Sequence, residues 1–389
     1  MNLIEYMSDA NNLIEAYTES RKGSDWKESV QRYEMNLLIN IYKTQNAIRD
    51  GTYKQMPFVE FILNERGKSR PIKSIHISDR VVQRSLCDNV LVPMLYKQLI
   101  YDNGASVRGK GISFARDRLE EHLHRYYRKH GNEGYVLLID FSKFFDNIPH
   151  DKLLAKIGSS IKDEEMMRFI TKVIGEFAVD VSYMNNEEYE KCMDTIYNDI
   201  EHRKLSGDIL TGEKYMYKSV GIGAQISQIS GVLYPTVIDN YCKIVMGLKY
   251  YGRYMDDIYI IHNDKQYLKK LFEELIRLSK EYGLFVNEKK TQIVKISRGF
   301  TFLKIKYSLT ESGKIIRKMK PKAFTRERRR LKKYKNLYQE GRIKYKDIYN
   351  AYMSWRGNAV HFHNHEQVRQ MDQLFNELFI GGWNGRKRS

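Results

Sequence analysis

Apolar residues recur at helical spacing through most of the first fifty positions. Asn36–Ile48 sets Leu37, Leu38, Ile41, Tyr42 and Ile48 near one face. Gly51 is the expected stop. The period then changes. Pro57–Leu63 reads as a strand, and Arg66-Gly67-Lys68-Ser69-Arg70-Pro71 as a basic turn into a second strand. That turn is either a solvated hairpin tip or a phosphate contact. Asp79–Leu99 resumes helical spacing, with Val82, Leu86, Val90 and Leu91 on one side. Asn103–Gly111 is a glycine-rich basic loop, suited to let amides approach an anion, and Phe114–Lys129 a basic helix. Tyr135–Asp140 is a continuous apolar run ending in a carboxylate, the pattern of a buried strand.

The stretch 180–218 is polar and reads as an insertion without a functional account. Glu187–Ile200 predicts a helix in it and Ser206–Gly212 a turn. Ser219–Gln228 (SVGIGAQISQ) places two glycines ahead of a helix expected from about Ala224 to Met246. Leu248–His262 (LKYYGRYMDDIYIIH) predicts a hairpin with Asp256 and Asp257 at its tip. Lys265–Tyr282 carries an apolar stripe of Leu268, Leu271, Phe272, Leu275, Leu278 and Tyr282, with Gly283 as its cap. Strands at Gln292–Ile296 and Phe300–Tyr307 and a helical segment Tyr349–Phe379 complete the expectation.

Composition narrows the partners. A chain of 389 residues with 42% hydrophobic content can build two or three packed subdomains. A net charge of +18 suits a polyanion, either nucleic acid or an anionic membrane. No run approaches the ~18 apolar residues of a membrane span, and the N-terminus lacks a secretory pattern. Cys87, Cys192 and Cys242 are scattered, which argues against a disulfide framework or zinc knuckle and fits a cytoplasmic setting. Lys314–Lys346 holds 15 Lys/Arg against Glu327 and Glu340, with Tyr334, Tyr338 and Tyr345 interleaved. That mixture suits a duplex backbone. His361, His363 and His365 alternate, and packing or phosphate contacts are expected of them ahead of a metal.

Adjacent aspartates repel unless a cation neutralises them. Asp256-Asp257 is therefore either a solvated turn or a divalent-metal site. Asp140 has the same two readings. If its strand neighbours the hairpin, three carboxylates converge, and such a cluster can hold two Mg²⁺ about 3.5–4 Å apart. One ion would activate a 3′-hydroxyl and the other would hold a triphosphate.

Six segments in order resemble the reverse transcriptase family over about residues 30–365. YMDD matches its catalytic hairpin, DFSKFFDNI its first metal-binding motif, and SVGIGAQISQ its nucleotide-and-template helix. LFVNEKKT and FTFLKIKY resemble the motifs that close the palm, and RGKSRPI with SDRVVQ the fingers. The resemblance implies an α+β, right-hand polymerase. Fingers would span 1–130, a palm of antiparallel sheet with helices 131–310, and a basic helical thumb 311–389. It makes Asp140, Asp256 and Asp257 the ligands of two Mg²⁺, with Mn²⁺ as a substitute. Lys68 and Arg70 would grip the triphosphate, and Phe141, Gly223 and Gln228 would line the nucleotide. Lys290 would protonate pyrophosphate. Phe145, five residues past Asp140, matches the steric gate that rejects a ribose 2′-hydroxyl.

Where many members carry Gln-Gly and Ser-Pro, this chain has Ile222-Gly223 and Ser227-Gln228. The variant is similar to prokaryotic diversity-generating-retroelement and antiphage-defence lineages, although the polar insertion departs from their compact form. The expected activity is RNA-directed DNA synthesis on a dedicated structured RNA, with primer, cDNA and dNTPs as further partners. No RNase H, endonuclease or zinc-finger segment is recognised, so a separately encoded protein partner or a homo-oligomer is expected. An RNA-dependent RNA polymerase and an inactive RNA-binding scaffold are the alternatives.

Overall fold

The computed structural model describes residues 2–65, 67–205 and 210–380. Four helices open the chain: α1 (Leu3–Met7), α2 (Ala10–Arg21), α3 (Glu28–Met35) and α4 (Leu37–Arg49). Asn2 and Asp9 cap the first two by accepting from the amides of Ile4 and Asn11. The predicted α4 face is half right. Ile41 and Ile48 are buried, but Leu38 and Tyr42 point outward at 71% and 64% exposure. At 3.6 residues per turn only one line of that broad stripe can reach the core formed with Leu13, Tyr17 and Val81.

Strands β1 (Val59–Glu65) and β2 (Lys68–Ser74) pair antiparallel, with Glu65 opposite Lys68. Lys68 and Arg70 are thus strand residues, while Arg66 of the expected turn lies outside the described residues. Helix α5 (Ile77–Leu86) passes through a π-helical turn at Cys87–Leu91 into α6 (Val92–Leu95). Pro93 sits in the first turn of α6 and brings no amide to the helical ladder. Then follow α7 (Ile112–His130), β3 (Tyr135–Ile139), α8 (His150–Gly158) and α9 (Glu164–Gly175).

The described part of the insertion is structured. Strands β4 (Val179–Asp180) and β5 (Tyr215–Met216) pair, and α10 (Asn186–Asp194) and α11 (Asp199–Leu205) lie between them in sequence. The single helix expected at Glu187–Ile200 is broken after Asp194. Asn147 accepts the Tyr197 amide, and the interruption lets Tyr197 reach a small core with Val179, Val181 and Met216. Ser206–Ile209 of the expected turn lie outside the described residues.

The helix expected from Ala224 to Met246 is also interrupted. Pro235 divides α12 (Gln225–Leu233) from α13 (Thr236–Asn240), and a π-helical turn follows at Tyr241–Val245. Strands β6 (Tyr251–Tyr254) and β7 (Asp257–His262) form the predicted hairpin, in register Tyr254 opposite Asp257. Helix α14 (Lys265–Glu281) buries Leu268, Leu271 and Leu275 as its stripe foretold, and Gly283 leaves it at φ +69°.

Strand β8 (Gln292–Lys295) agrees with expectation, but Phe300–Tyr307 is not one strand. It folds into β9 (Phe300–Phe302) and β10 (Ile305–Leu309) about Leu303 and Lys304, both at positive φ. A two-residue turn of that hand matches the strand twist, though it is unusual without glycine or asparagine. β11 (Ile315–Met319) adds a third strand. Helices α15 (Pro321–Gln339), α16 (Tyr345–Ala359) and α17 (His365–Phe379) follow. The last two are separated at Val360–Asn364, where His363 exchanges hydrogen bonds with the Arg317 backbone.

Two compact units emerge. One gathers Met1–Ala115, Ile139–Ile260 and Gln266–Gln292; the other gathers Arg116–Leu138, Ile261–Lys265 and Ile293–Ser389. The second has its own core of Phe324, Leu331, Ile348, Tyr352, Met371 and Phe375, in which the Tyr352 and Phe375 rings stack at 4.4 Å. The α+β expectation is met. Among the described residues no helix is long and apolar enough to cross a membrane.

Candidate active site

Asp140 leaves β3 at its C-terminal end, as a buried strand ending in a carboxylate should. The chain beyond it is held by Phe285–Asn287: the Ser142 amide donates to Phe285 O and the Asn287 amide to Asp140 O, each at 2.7 Å. Asn287 then turns the chain by accepting from the amides of Lys290 and Thr291. The turn delivers Lys290, whose Nζ donates to Asp140 Oδ2 at 2.7 Å.

Asp256 and Asp257 sit half-buried at the tip of the β6–β7 hairpin. Burial raises the Asp256 carboxyl above its ordinary range, and Asp140 adds to the effect. Burial, then Asp256 and Asp140, push Asp257 up to about 7. Lys68 and Lys290 pull both downward. The three predicted carboxylates therefore share one electrostatic neighbourhood, with two of the predicted lysines facing it.

Mutual repulsion and half-burial give this donor set the chemistry that suits a hard divalent cation. A closed cage is a different matter: among the described residues no group of three or more His, Cys, Asp or Glu side chains stands ready to hold an ion. The Lys290 ammonium already engages one Asp140 oxygen.

The tip is tight. Met255 adopts φ +55°, a backbone that glycine ordinarily supplies at the first position of a two-residue hairpin turn. Arg253 stabilises it from below. This arginine is fully buried and binds Asp239 through Nε at 2.8 Å and Nη2 at 2.7 Å. Its Nη1 donates to Met255 O at 3.1 Å and Nη2 to Val232 O at 2.9 Å. Tyr251 donates to the same Asp239 at 2.6 Å. Sequence reading missed Arg253 and Asp239. The available signal was an arginine inside the apolar run YYGRYM, since a charge in a buried strand needs a partner.

The remaining predicted residues spread along the walls. Lys68 and Arg70 are exposed on β2, and Arg70 pairs with Glu65 across the hairpin at 3.1 Å. Phe141 is buried and packs on Phe144 at 5.9 Å, so its ring contributes to the core. Phe145 is half-buried, and Gly231 of α12 gives it room: a Cβ there would lie 2.7 Å from its ring. Gly223, at φ +130°, lets the chain pass the Lys73 carbonyl, which a Cβ would meet at 2.7 Å. Gln228 is exposed and lines a polar cavity of about 770 Å³ with Arg84, Asp88 and Arg108.

The reverse transcriptase (RNA-dependent DNA polymerase) family pattern matches residues 62–307, well over half the chain. No curated protein matches. Among solved structures, apo telomerase from Candida tropicalis aligns at 15% identity and TM-score 0.42, covering 67% of this chain and 48% of its own. Telomerase from Candida albicans, in complex with a fragment of telomeric RNA, aligns at 14% identity and TM-score 0.44, covering 84% and 55%. The chain thus spans about half the length of these structures.

Proposed function

This chain belongs to the reverse transcriptase family, and from that premise we propose that it is an RNA-directed DNA polymerase with fingers, palm and thumb. The observation that carries the reading is the placement of Asp140 at the end of β3, the strand beside β7 in the sheet order β6-β7-β3-β8, with Asp256 and Asp257 at the β6–β7 tip and Lys290 on Asp140. In the proposed reaction a primer 3′-oxygen forms a bond to the α-phosphorus of a dNTP. The bond to the bridging oxygen breaks, and pyrophosphate leaves.

Asp140, Asp256 and Asp257 would hold two Mg²⁺ or Mn²⁺. When bound, such ions polarise the attacking hydroxyl and stabilise charge on the leaving group. The chain's own residues do the rest. Lys68 and Arg70 on the exposed hairpin attract the triphosphate. Phe145, backed by Gly231, sets how much room a sugar has, and that favours dNTPs over rNTPs. Lys290 donates a proton to pyrophosphate after releasing Asp140. The basic helix α15 follows a template–primer backbone.

The decisive experiment is primer extension on an RNA template with Mg²⁺. Asp256→Asn and Asp257→Asn should each abolish dNTP incorporation while the fold persists. Undiminished synthesis in either variant overturns the reading, and a preference for rNTPs converts it to an RNA polymerase. The template is a dedicated structured RNA, and the setting a cytoplasmic prokaryotic retroelement or antiphage defence system with a separately encoded partner or a second copy. Ile222 removes a polar side chain from the nucleotide wall, so Ile222→Gln should raise copying accuracy in a fidelity assay.

A further inference from the structure

The insertion supplies no residue to the proposed reaction, yet it is bonded to the segments that would surround the nucleotide. Two walls of the proposed nucleotide pocket, and the turn that bears Phe145, are tied to it by specific polar contacts. At the turn, Asn147 and Tyr197 bond reciprocally: the Asn147 amide side chain donates to Tyr197 O at 3.1 Å and accepts the Tyr197 amide at 2.8 Å. Two residues earlier, Phe145 O accepts the amide of Val220 at 3.0 Å.

At the β1–β2 hairpin, Arg203 of α11 spans two carboxylates. Its Nε donates to Asp199 at 2.8 Å and its Nη1 reaches Glu60 of β1 at 2.6 Å. Glu60 stands opposite Lys73 on β2, three residues beyond Arg70. Lys73 is itself buried and donates to Phe177 O, at the root of the insertion, at 3.5 Å.

At the glycine segment, the Lys73 amide donates to Ile222 O at 2.9 Å. The other end of the insertion is plugged by Lys218. Its Nζ donates to the carbonyls of Cys192, Met193 and Thr195 at 2.7–3.0 Å, and the chain runs directly on into Ser219–Gly223.

A module attached only at its ends would leave these three segments free to move separately. We propose that the described part of the insertion, Val179–Leu205 with Leu210–Lys218, is a strut that sets the walls of the nucleotide pocket, with Asp199 and Arg203 as positioning residues for the incoming nucleotide. The proposal rests on the polymerase reading for its consequence, though not for its mechanics. Neither residue touches substrate. Arg203 fixes the hairpin that carries Lys68 and Arg70, and Asp199 orients Arg203. Asp199 also lies near Asp146, between Phe145 and Asn147, and its charge helps raise that carboxyl.

Single-nucleotide insertion and hydrogen exchange on the full chain test this together, in Glu60→Gln, Arg203→Gln and the double variant. The Glu60 side chain is 40% exposed and glutamine keeps its shape, so the substitution should leave folding intact. The KM for dNTP should rise about tenfold in each single variant, with kcat within about threefold and the KM for template–primer unchanged. The double variant should add little to either single. Exchange should quicken in Lys68–Ser74 and Ser219–Gly223 but not in α15–α17. A dNTP KM within twofold of wild type in folded Glu60→Gln overturns the strut. So does unchanged exchange in both segments, a readout that holds whether or not the protein polymerises. Failure of wild-type protein to incorporate dNTPs, with exchange altered as expected, would sink the polymerase reading alone.

Discussion

Arg253 and Arg203 each hold an aspartate in the same unit, in opposite surroundings. The Arg253–Asp239 pair is sealed, both side chains at 0% exposure, and it finishes by donating to the carbonyl of the strained Met255. The Arg203–Asp199 pair is partly open, at 19% and 8%, and reaches on to the more exposed Glu60. A sealed pair has been removed from water completely, so neither partner can be lost cheaply. An open pair gives up less and can let go. The difference suits their places: one fixes the backbone beneath two carboxylates, the other joins segments of a pocket wall.

The comparison can be broken at its sealed end first. Arg253→Met leaves Asp239 charged and buried, and should cost about 3–5 kcal/mol in denaturant unfolding. Adding Asp239→Leu should restore part of that stability, since an apolar pair of similar volume is often neutral. DNA synthesis should stay low in the double variant because nothing then holds Met255 O. Recovery of both together would show that the arginine serves stability alone.

The open end has a pH signature. Burial, with the nearby Asp199 charge, pushes the Asp146 carboxyl up from 3.8 to about 6. A carboxyl raised in the folded state favours folding below its unfolded value, and that contribution is lost as pH rises through about 6. Asp146→Asn keeps an uncharged acceptor. Its stability relative to wild type should therefore improve by about 2 kcal/mol between pH 4 and pH 7.5. A difference that stays flat across that range would contradict the placement of Asp146.

Lys218→Met tests the plug of the strut. Three carbonyls lose their donor, for about 1–3 kcal/mol, and proteolysis within 186–205 should quicken. The smallest effect is expected at Arg277, which is 72% exposed and pairs with Glu274 along α14. Arg277→Ala should leave the melting temperature unchanged within the scatter of replicate melts.

Local pattern alone made much of this molecule legible. Apolar and aromatic residues on both sides of the adjacent aspartates placed the β6–β7 hairpin, and the stripe of α14 and its Gly283 stop are legible nearly to the residue. Those features depend on neighbours in the chain, and so the order of residues contains them. It was also enough to pick out Asp140 as a strand-end carboxylate. The errors have a common origin. Pro235 was overlooked inside a long apolar run, Leu303-Lys304 turn without a glycine to announce it, and Leu38 and Tyr42 look outward because only packing decides which part of a stripe is covered.

Tertiary structure alone decided which charges meet. Nothing local to Arg253 names Asp239, nothing near Arg203 names Glu60, and nothing before Lys290 says that it sits on Asp140. Ion pairs and buried hydrogen bonds act over a few ångströms in space and are indifferent to separation along the backbone. Residue order can require that a buried charge be answered; only the folded chain supplies the partner.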